Sequence, residues 1–179
     1  MIVRFVGFGG QGIVLSSYIL GLSAVLDGKR VVQNQSYGSE SRGGECRGDV
    51  IISDQEIYEL EPTGHDVLVA MTQPGYEKLV VSLKPEGTLI VDSDLVIPDA
   101  GLSPPGIRTY SIRATELASK KFGRKIVANM VILGYMNSLL SLVTVESLEK
   151  VISQSVPDGT QELNVKAMLE GIQLAMKDS

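Results

Sequence analysis

The sequence has one cysteine, Cys46, one histidine, His65, and no tryptophan. A single thiol forms no internal disulfide and holds no iron–sulfur cluster, which usually takes four thiolates. One Cys and one His leave no zinc-site spacing either. Phenylalanine is scarce, so an aromatic platform for stacking bases is not expected. Positive charge is in deficit: 16 Lys and Arg against 21 Asp and Glu give a formal net charge of -5, the wrong sign for broad nucleic-acid binding. No apolar run is long and charge-free enough to cross a bilayer. The opening Met1-Ile2-Val3-Arg4-Phe5-Val6-Gly7 meets glycine too early for a signal peptide. These absences point to a cytoplasmic chain with no membrane and no nucleic-acid partner.

What is present suits a globular fold. At 179 residues and 44% hydrophobic composition, the chain is long enough to bury a core as one domain spanning 1–179. The β-branched run 2–6 predicts a buried strand, and residues 11–26 a helix stopped by Asp27-Gly28. Residues 30–35 predict a second strand, completing a right-handed crossover unit. Residues 46–53 and 57–60 predict an antiparallel pair, and 66–71, 87–91 and 107–111 further strands. Helices are expected over 74–83, 115–122, 126–142, 144–154 and 160–177. Thr144-Val145-Glu146-Ser147 lies close to a capping signature. The order implies an α/β, Rossmann-like, mostly parallel sheet with helices on both faces and a helical C-terminal portion.

Two glycine-rich segments carry the chemistry. Gly7-Phe8-Gly9-Gly10-Gln11-Gly12 has G-x-G-x-x-G spacing directly after a strand and before a helix. Without side chains, backbone amides and the positive end of the helix can approach an anion closely. The same glycines also serve a tight turn and helix–strand packing. A nicotinamide dinucleotide site expects an acid at the end of the second strand, where this sequence has Gln33, Asn34 and Gln35. NAD is disfavoured, and another phosphate-bearing ligand stays open. The second segment, Ser36-Tyr37-Gly38-Ser39-Glu40-Ser41-Arg42-Gly43-Gly44, follows the second strand at the edge where open α/β sheets bind ligands. Arg42 offers a planar fork suited to phosphate or carboxylate, and Tyr37 can stack or hydrogen-bond. A solvated loop with a Glu40–Arg42 pair is the plainer alternative.

Together these two segments resemble the gamma subunit of 2-oxoacid:ferredoxin oxidoreductases. The likeness continues through Cys46-Arg47-Gly48-Asp49-Val50-Ile51-Ile52-Ser53-Asp54, Asp66-Val67-Leu68-Val69-Ala70-Met71, Asp92-Ser93-Asp94 and Ala128-Asn129-Met130-Val131-Ile132-Leu133-Gly134. Among subtypes the sequence looks most like the separate gamma chain of the 2-oxoglutarate enzymes. The resemblance implies a complex that decarboxylates a 2-oxoacid on thiamine diphosphate, reduces ferredoxin and releases an acyl-CoA. It implies that thiamine diphosphate with its Mg ion sits in alpha and beta partners, and the iron–sulfur clusters in other chains such as a delta or ferredoxin-like subunit. The absence here of cluster cysteines and of a Gly-Asp-Gly metal motif agrees with that division. The gamma chain would help bind coenzyme A through Gly7, Gly9, Gly10, Gln11, Gly12, Tyr37, Ser41 and Arg42, with no catalytic or metal-ligating residue of its own. Self-association of the isolated chain is compatible with all of this.

Other residues attract less chemistry. Cys46 reads as a small buried residue at a strand start, and His65 as a loop residue without a triad partner. Asp92 and Asp94 sit where ligands gather or where a turn forms. Met130, Leu133, Met136, Leu139 and Leu140 read as a packed helix face. The competing functions are a stand-alone nucleotide-dependent dehydrogenase and a noncatalytic assembly module. Titration with NADH separates the first of these: no binding and no turnover are expected of the isolated chain, and saturable NADH binding would reinstate the dehydrogenase.

Overall fold

The structure, a computed structural model, describes residues 1–37, 44–58 and 60–178. Six strands form one sheet: β1 (Ile2–Phe8), β2 (Arg30–Tyr37), β3 (Glu45–Ser53), β4 (His65–Ala70), β5 (Leu83–Asp92) and β6 (Arg108–Ile112). Their spatial order is β2-β3-β1-β4-β5-β6. β4 runs parallel to β1, β5 to β4 and β6 to β5, whereas β3 runs antiparallel to both β1 and β2. The sheet is therefore mostly parallel, with one reversed strand inside it.

Crossover handedness places the helices. The chain leaves β1 through α1 (Ile13–Leu26) toward β2, and leaves β4 through α2 (Gln73–Leu79) toward β5 on the other side. Right-handed connections running in opposite directions must lie on opposite faces. Accordingly α1 shares one core with α3 (Ala114–Phe122), α4 (Ala128–Leu140), α5 (Val145–Ser155) and α6 (Gln161–Asp178). On the other face Tyr76 and Leu79 of α2 pack over Val6, Leu68 and Leu89. Between β1 and β4 the connections diverge, and a crevice opens at the strands' carboxyl ends.

Local sequence explains most boundaries. α1 stops at Asp27, where Gly28 takes φ +81° and donates its N–H to Val25 O. α5 starts at Thr144, whose Oγ1 accepts the Ser147 N–H at 3.3 Å, as the sequence anticipates. α4 and α6 approach unusually closely. A Cβ on Gly134 would fall on the Met168 carbonyl, and one on Gly171 on the Val131 carbonyl. Among the described residues no helix is long and apolar enough to cross a membrane.

Two expectations need correction. The expected strand at 57–60 is not formed: residues 56–58 have no strand, residue 60 lies in a bend, and residue 59 is outside the described residues. The reason is topological: β3 is interior, with one edge paired to β1 and the other to β2, so no edge is free for a hairpin partner. His65 is not a loop residue. It opens β4 at 0% exposure and joins a buried polar cluster. Cross-strand partners Arg4 and Asp49 form a two-pronged bond, Nε to Oδ1 at 2.8 Å and Nη2 to Oδ2 at 2.9 Å. Arg4 Nη1 stands 3.3 Å from His65 Nδ1, so Nδ1 accepts and Nε2 carries the hydrogen. Nε2 is buried with no partner among the described residues.

Burial, and then the Arg4 cation, push the His65 pKa down from 6.5 to about 4, with Asp49 opposing. A base whose folded pKa lies below its unfolded value binds protons preferentially in the unfolded chain. Its contribution is therefore complete above pH 6.5 and lost as pH falls toward 4, up to about 3 kcal/mol in all. Urea unfolding midpoints should drop between pH 7 and 4.5 in the native chain and drop less in His65→Gln. An identical pH slope in both would place the titrating group elsewhere.

Candidate functional site

The glycine turn sits at the carboxyl end of β1, on one wall of the crevice. Gly10 (φ +97°) and Gly12 (φ +75°) both take left-handed backbone that disfavours a side chain. Gly12 is the N-cap of α1, and it supplies no side-chain cap to the helix. The first-turn amides of α1 therefore lack a capping side-chain acceptor at the helix end. The positive end of the α1 dipole is thus presented at the turn.

Gln11 holds this turn open. Its Oε1 accepts the Phe8 N–H at 2.6 Å, and its Nε2 donates to Met71 O at 3.1 Å, tying the end of β1 to the end of β4. Gly7 makes room for it: a Cβ there would come within 2.5 Å of Gln11 Oε1 and 2.7 Å of Ile13 Cδ1. Asn129, in the first turn of α4, donates Nδ2 to Gly12 O at 3.2 Å from the other side. A Cβ on Gly12 would collide with that amide. Among the sequence-predicted residues, Gly7 and Gln11 therefore build the turn with their atoms turned inward. Gly9 and Gly10 are exposed on it.

The turn opens on a cleft of about 320 Å³ bordered by Gly10, Gln11, Met71, Leu95, Thr115 and Lys125. Of these, Gly10 and Gln11 are sequence-predicted site residues, and Met71 figures in the sequence only as part of the run 66–71. Lys125 ends a basic stretch, Lys120 to Lys125, whose local pattern reads as a solvated helix end. Only the fold carries it to the sheet edge. Arg113 bonds Asp94 and Glu116, Lys120 bonds Glu116, and Lys121 bonds Glu170. Lys125 has no acidic partner among the described residues, and it borders a cleft in a chain of net charge -5.

The second predicted segment reaches the same edge. Gly7 pairs with Cys46, which pairs with Tyr37, and Gly9 N–H bonds Gly44 O at 3.1 Å. Tyr37 is 63% exposed and stands two strands from Gly7, about 10 Å at the usual strand spacing. Ser41 and Arg42 lie outside the described residues. Asp92 and Asp94 serve the frame. Asp92 Oδ2 accepts from Thr115 N at 3.1 Å and Thr115 Oγ1 at 2.5 Å, and Asp94 Oδ2 accepts the Glu116 N–H at 2.6 Å. Both carboxylates sit at the α3 N-terminus, a stabilising position. Burial pushes the Asp92 carboxyl above its ordinary pKa, the Thr115 bond partly offsetting it. Cys46 is buried and burial pushes its thiol up, so it has the character of a packed residue. Among the described residues no group of three His, Cys, Asp or Glu could hold a metal ion.

Replacing Gln11 by Glu keeps the acceptor for Phe8 but sets a carboxylate against Met71 O. An expected loss of about 1–3 kcal/mol follows from that unmet carbonyl and lost donor. It should appear as a lower Tm at pH 7 that recovers partly on acidification. A Tm equal to the native one would mean that the latch is dispensable.

Comparison with known proteins agrees with this architecture. The sequence profile for pyruvate ferredoxin/flavodoxin oxidoreductase matches residues 2–174. The 2-oxoglutarate synthase subunit KorC of Methanocaldococcus jannaschii is 42% identical over 174 residues, 97% of this chain and 92% of that one. KorC of Methanothermobacter marburgensis is also 42% identical, covering 98% of this chain and 96% of its own length. The keto/oxoacid ferredoxin oxidoreductase gamma subunit from Geobacter sulfurreducens superposes with a TM-score of 0.84 at 41% identity, covering 98% of both chains. The 2-oxoglutarate:ferredoxin oxidoreductase from Magnetococcus marinus, solved with 2-oxoglutarate, coenzyme A and succinyl-CoA bound, gives 0.88 at 26% identity. It covers 99% of this chain and 31% of that longer one.

Proposed function

The chain belongs to the pyruvate ferredoxin/flavodoxin oxidoreductase family, and from that premise we propose that it binds and positions coenzyme A as the gamma subunit of a 2-oxoglutarate:ferredoxin oxidoreductase complex. The observation that carries the reading is the uncapped glycine turn at the crevice between β1 and β4, opening on a cleft with the Lys125 cation at its wall. A pyrophosphate fits such a place because backbone N–H groups and a helix dipole meet it without side-chain interference. The coenzyme A-bound relative with the same fold supports the ligand class.

Gly10 and Gly12 would present their amides, Gly9 and Gln11, whose N–H groups go to Gly44 O and Phe8 O, would shape the turn that lines the site, and Tyr37, Ser41 and Arg42 would close it from the loop beyond β2. In this reading thiamine diphosphate, with its Mg ion, is held by alpha and beta partners and supplies the carbanion sink. Iron–sulfur clusters in a further subunit pass electrons to ferredoxin. This chain contributes proximity: it holds the carrier so that its thiol meets the acyl group. The whole of 1–179 acts as one domain, in the cytoplasm, and is inactive alone.

The dehydrogenase alternative meets a geometric obstacle. A dinucleotide site needs the end of the second strand next to the glycine turn, with an acid for the ribose. Here β3 separates β2 from β1, and β2 ends in Gln35, Ser36 and Tyr37.

In the reconstituted complex, Arg42→Ala should raise the KM for coenzyme A by about tenfold or more, the worth of one charge-assisted hydrogen bond. Lys125→Ala should raise it less, because its longer stem carries a more solvated charge. Single-turnover decarboxylation without coenzyme A should keep its rate. Unchanged coenzyme A dependence in both variants would sink the assignment.

A further inference from the structure

The two edges of the sheet are built differently. β6 is guarded in the ways edge strands usually are: it has five residues, Arg108 opens it, and Pro104 and Pro105 precede it, with Pro105 O accepting the Glu86 N–H. β2 lacks such guards. It pairs with β3 at all eight of its residues without a bulge and contains no proline. Its one charge, Arg30 at the strand's start, bonds Glu56. Among the described residues no strand pairs with its outer side. The helix above this edge also departs from habit. A surface helix usually turns charged residues outward, yet α1 has none in 14 positions. It lies over β2 and β3 together: Gln33 Nε2 donates to Ser17 Oγ at 3.1 Å, and a Cβ on Gly21 would come within 3.3 Å of Val31 and 3.6 Å of Val50. By helical periodicity, the flank of α1 on the side of the open edge carries Val14, Tyr18 and Val25 in line with Gly21. Val14 is half-buried, whereas Tyr18 is 46% and Val25 50% exposed. On the other face of the edge, Asn34 Nδ2 donates to the carbonyl of Leu60, whose side chain is 59% exposed.

We propose that β2 and α1 form the contact with a second copy of this chain, β2 pairing antiparallel with β2 of the other copy across a twofold axis near Val32 and Gln33. Geometry selects a like partner. An antiparallel strand pair has a twofold axis of its own, so a strand edge meets its own copy without adjustment. That axis stands perpendicular to the sheet and brings the second α1 onto the same face. Strands are spaced by about 4.8 Å, and α1 lies over the line between β2 and β3, so the two α1 axes come about 10 Å apart. Packed helices stand about 8–10 Å apart. The flank of Val14, Tyr18, Gly21 and Val25 then faces its antiparallel copy, Tyr18 of one chain against Val25 of the other, with Gly21 near the crossing. Alternating steps of four and three residues are those of a helix–helix seam. Charge permits the contact: the chain carries a net charge of -5, but α1 and the interior of β2 carry none. The face is about 26 Å long by strand rise and about 20 Å deep through strand and helix, on the order of 500 Å² per copy. Two such faces reach the roughly 1,000 Å² that a specific interface needs.

Sedimentation of the full chain over a range of concentrations tests this. The native chain should approach twice its 19.2 kDa as concentration rises. Tyr18→Glu and Val25→Lys each set a charge in the seam against an apolar neighbour, and each should weaken association by about tenfold or more. Both side chains are about half exposed, so the circular dichroism of each variant should stay native. Combining the two substitutions places the new carboxylate of one copy against the new ammonium of the other, and most of the lost association should return. Ile97→Glu, at an exposed residue outside the contact, should leave association unchanged. A native chain that stays at 19.2 kDa at every concentration would leave this face to an unlike partner and overturn the proposal. So would a dimer indifferent to both single variants, or a double variant that associates no better than either.

Discussion

One side chain, Gln11, joins the backbones of the two strands between which the crevice opens, accepting from Phe8 and donating to Met71. The chain departs from β1 and β4 in opposite directions, so neither connection crosses the gap to close it. A residue inside the turn itself must do so. Gln is suited because its amide carries a donor and an acceptor on one short stem. Both groups of the Gln11 amide are thereby engaged inward, and Gly9 and Gly10 stay exposed on the turn. Gly7 is the precondition, since any side chain there would displace the Gln11 amide. The ion-paired Arg4 and Asp49, buried one turn of the pleat deeper, pin β3 against β1 in the register that brings Gly44 to Gly9. Losing one member of such a buried pair costs about 3–5 kcal/mol, so register and site are coupled.

The reversed strand β3 is the feature that separates this sheet from a dinucleotide-binding one. It moves the tip of β2 one strand outward from β1. Gly9 and Gly44 therefore meet at one sheet edge although the segments they belong to follow non-adjacent strands. The missing acid at the end of β2 and the inserted strand are two expressions of one architecture.

Much of this was legible in the sequence where local chemistry dictates it. The β-branched run of β1, the Asp27-Gly28 stop and the Thr144 cap each have short-range causes, and the structure places them where the pattern does. The glycine spacing likewise announced a tight turn between strand and helix, and the structure adds that Gly10 and Gly12 take left-handed backbone there. What stayed hidden depends on contacts between distant segments. The pairing of β3 is set by two strands rather than by a neighbouring turn. His65 looks like a loop residue because its partners, Arg4 and Asp49, are far away in the chain. Asn129 and Lys125 gain their roles from the packing of α4 against the turn, a contact bridging 117 residues in the case of Asn129. No local periodicity encodes such a meeting.

The close seating of α4 on α6 through Gly134 and Gly171 has a consequence for the order in which the molecule comes into being. Gly12 of the glycine turn leaves the ribosome 117 residues before its brace, Asn129. The helix bearing that brace finds its own backing only when the chain around Gly171 has followed. The turn is thus synthesised well before the contacts that make it rigid, and a nascent chain has no braced turn until the segment around Gly171 has followed.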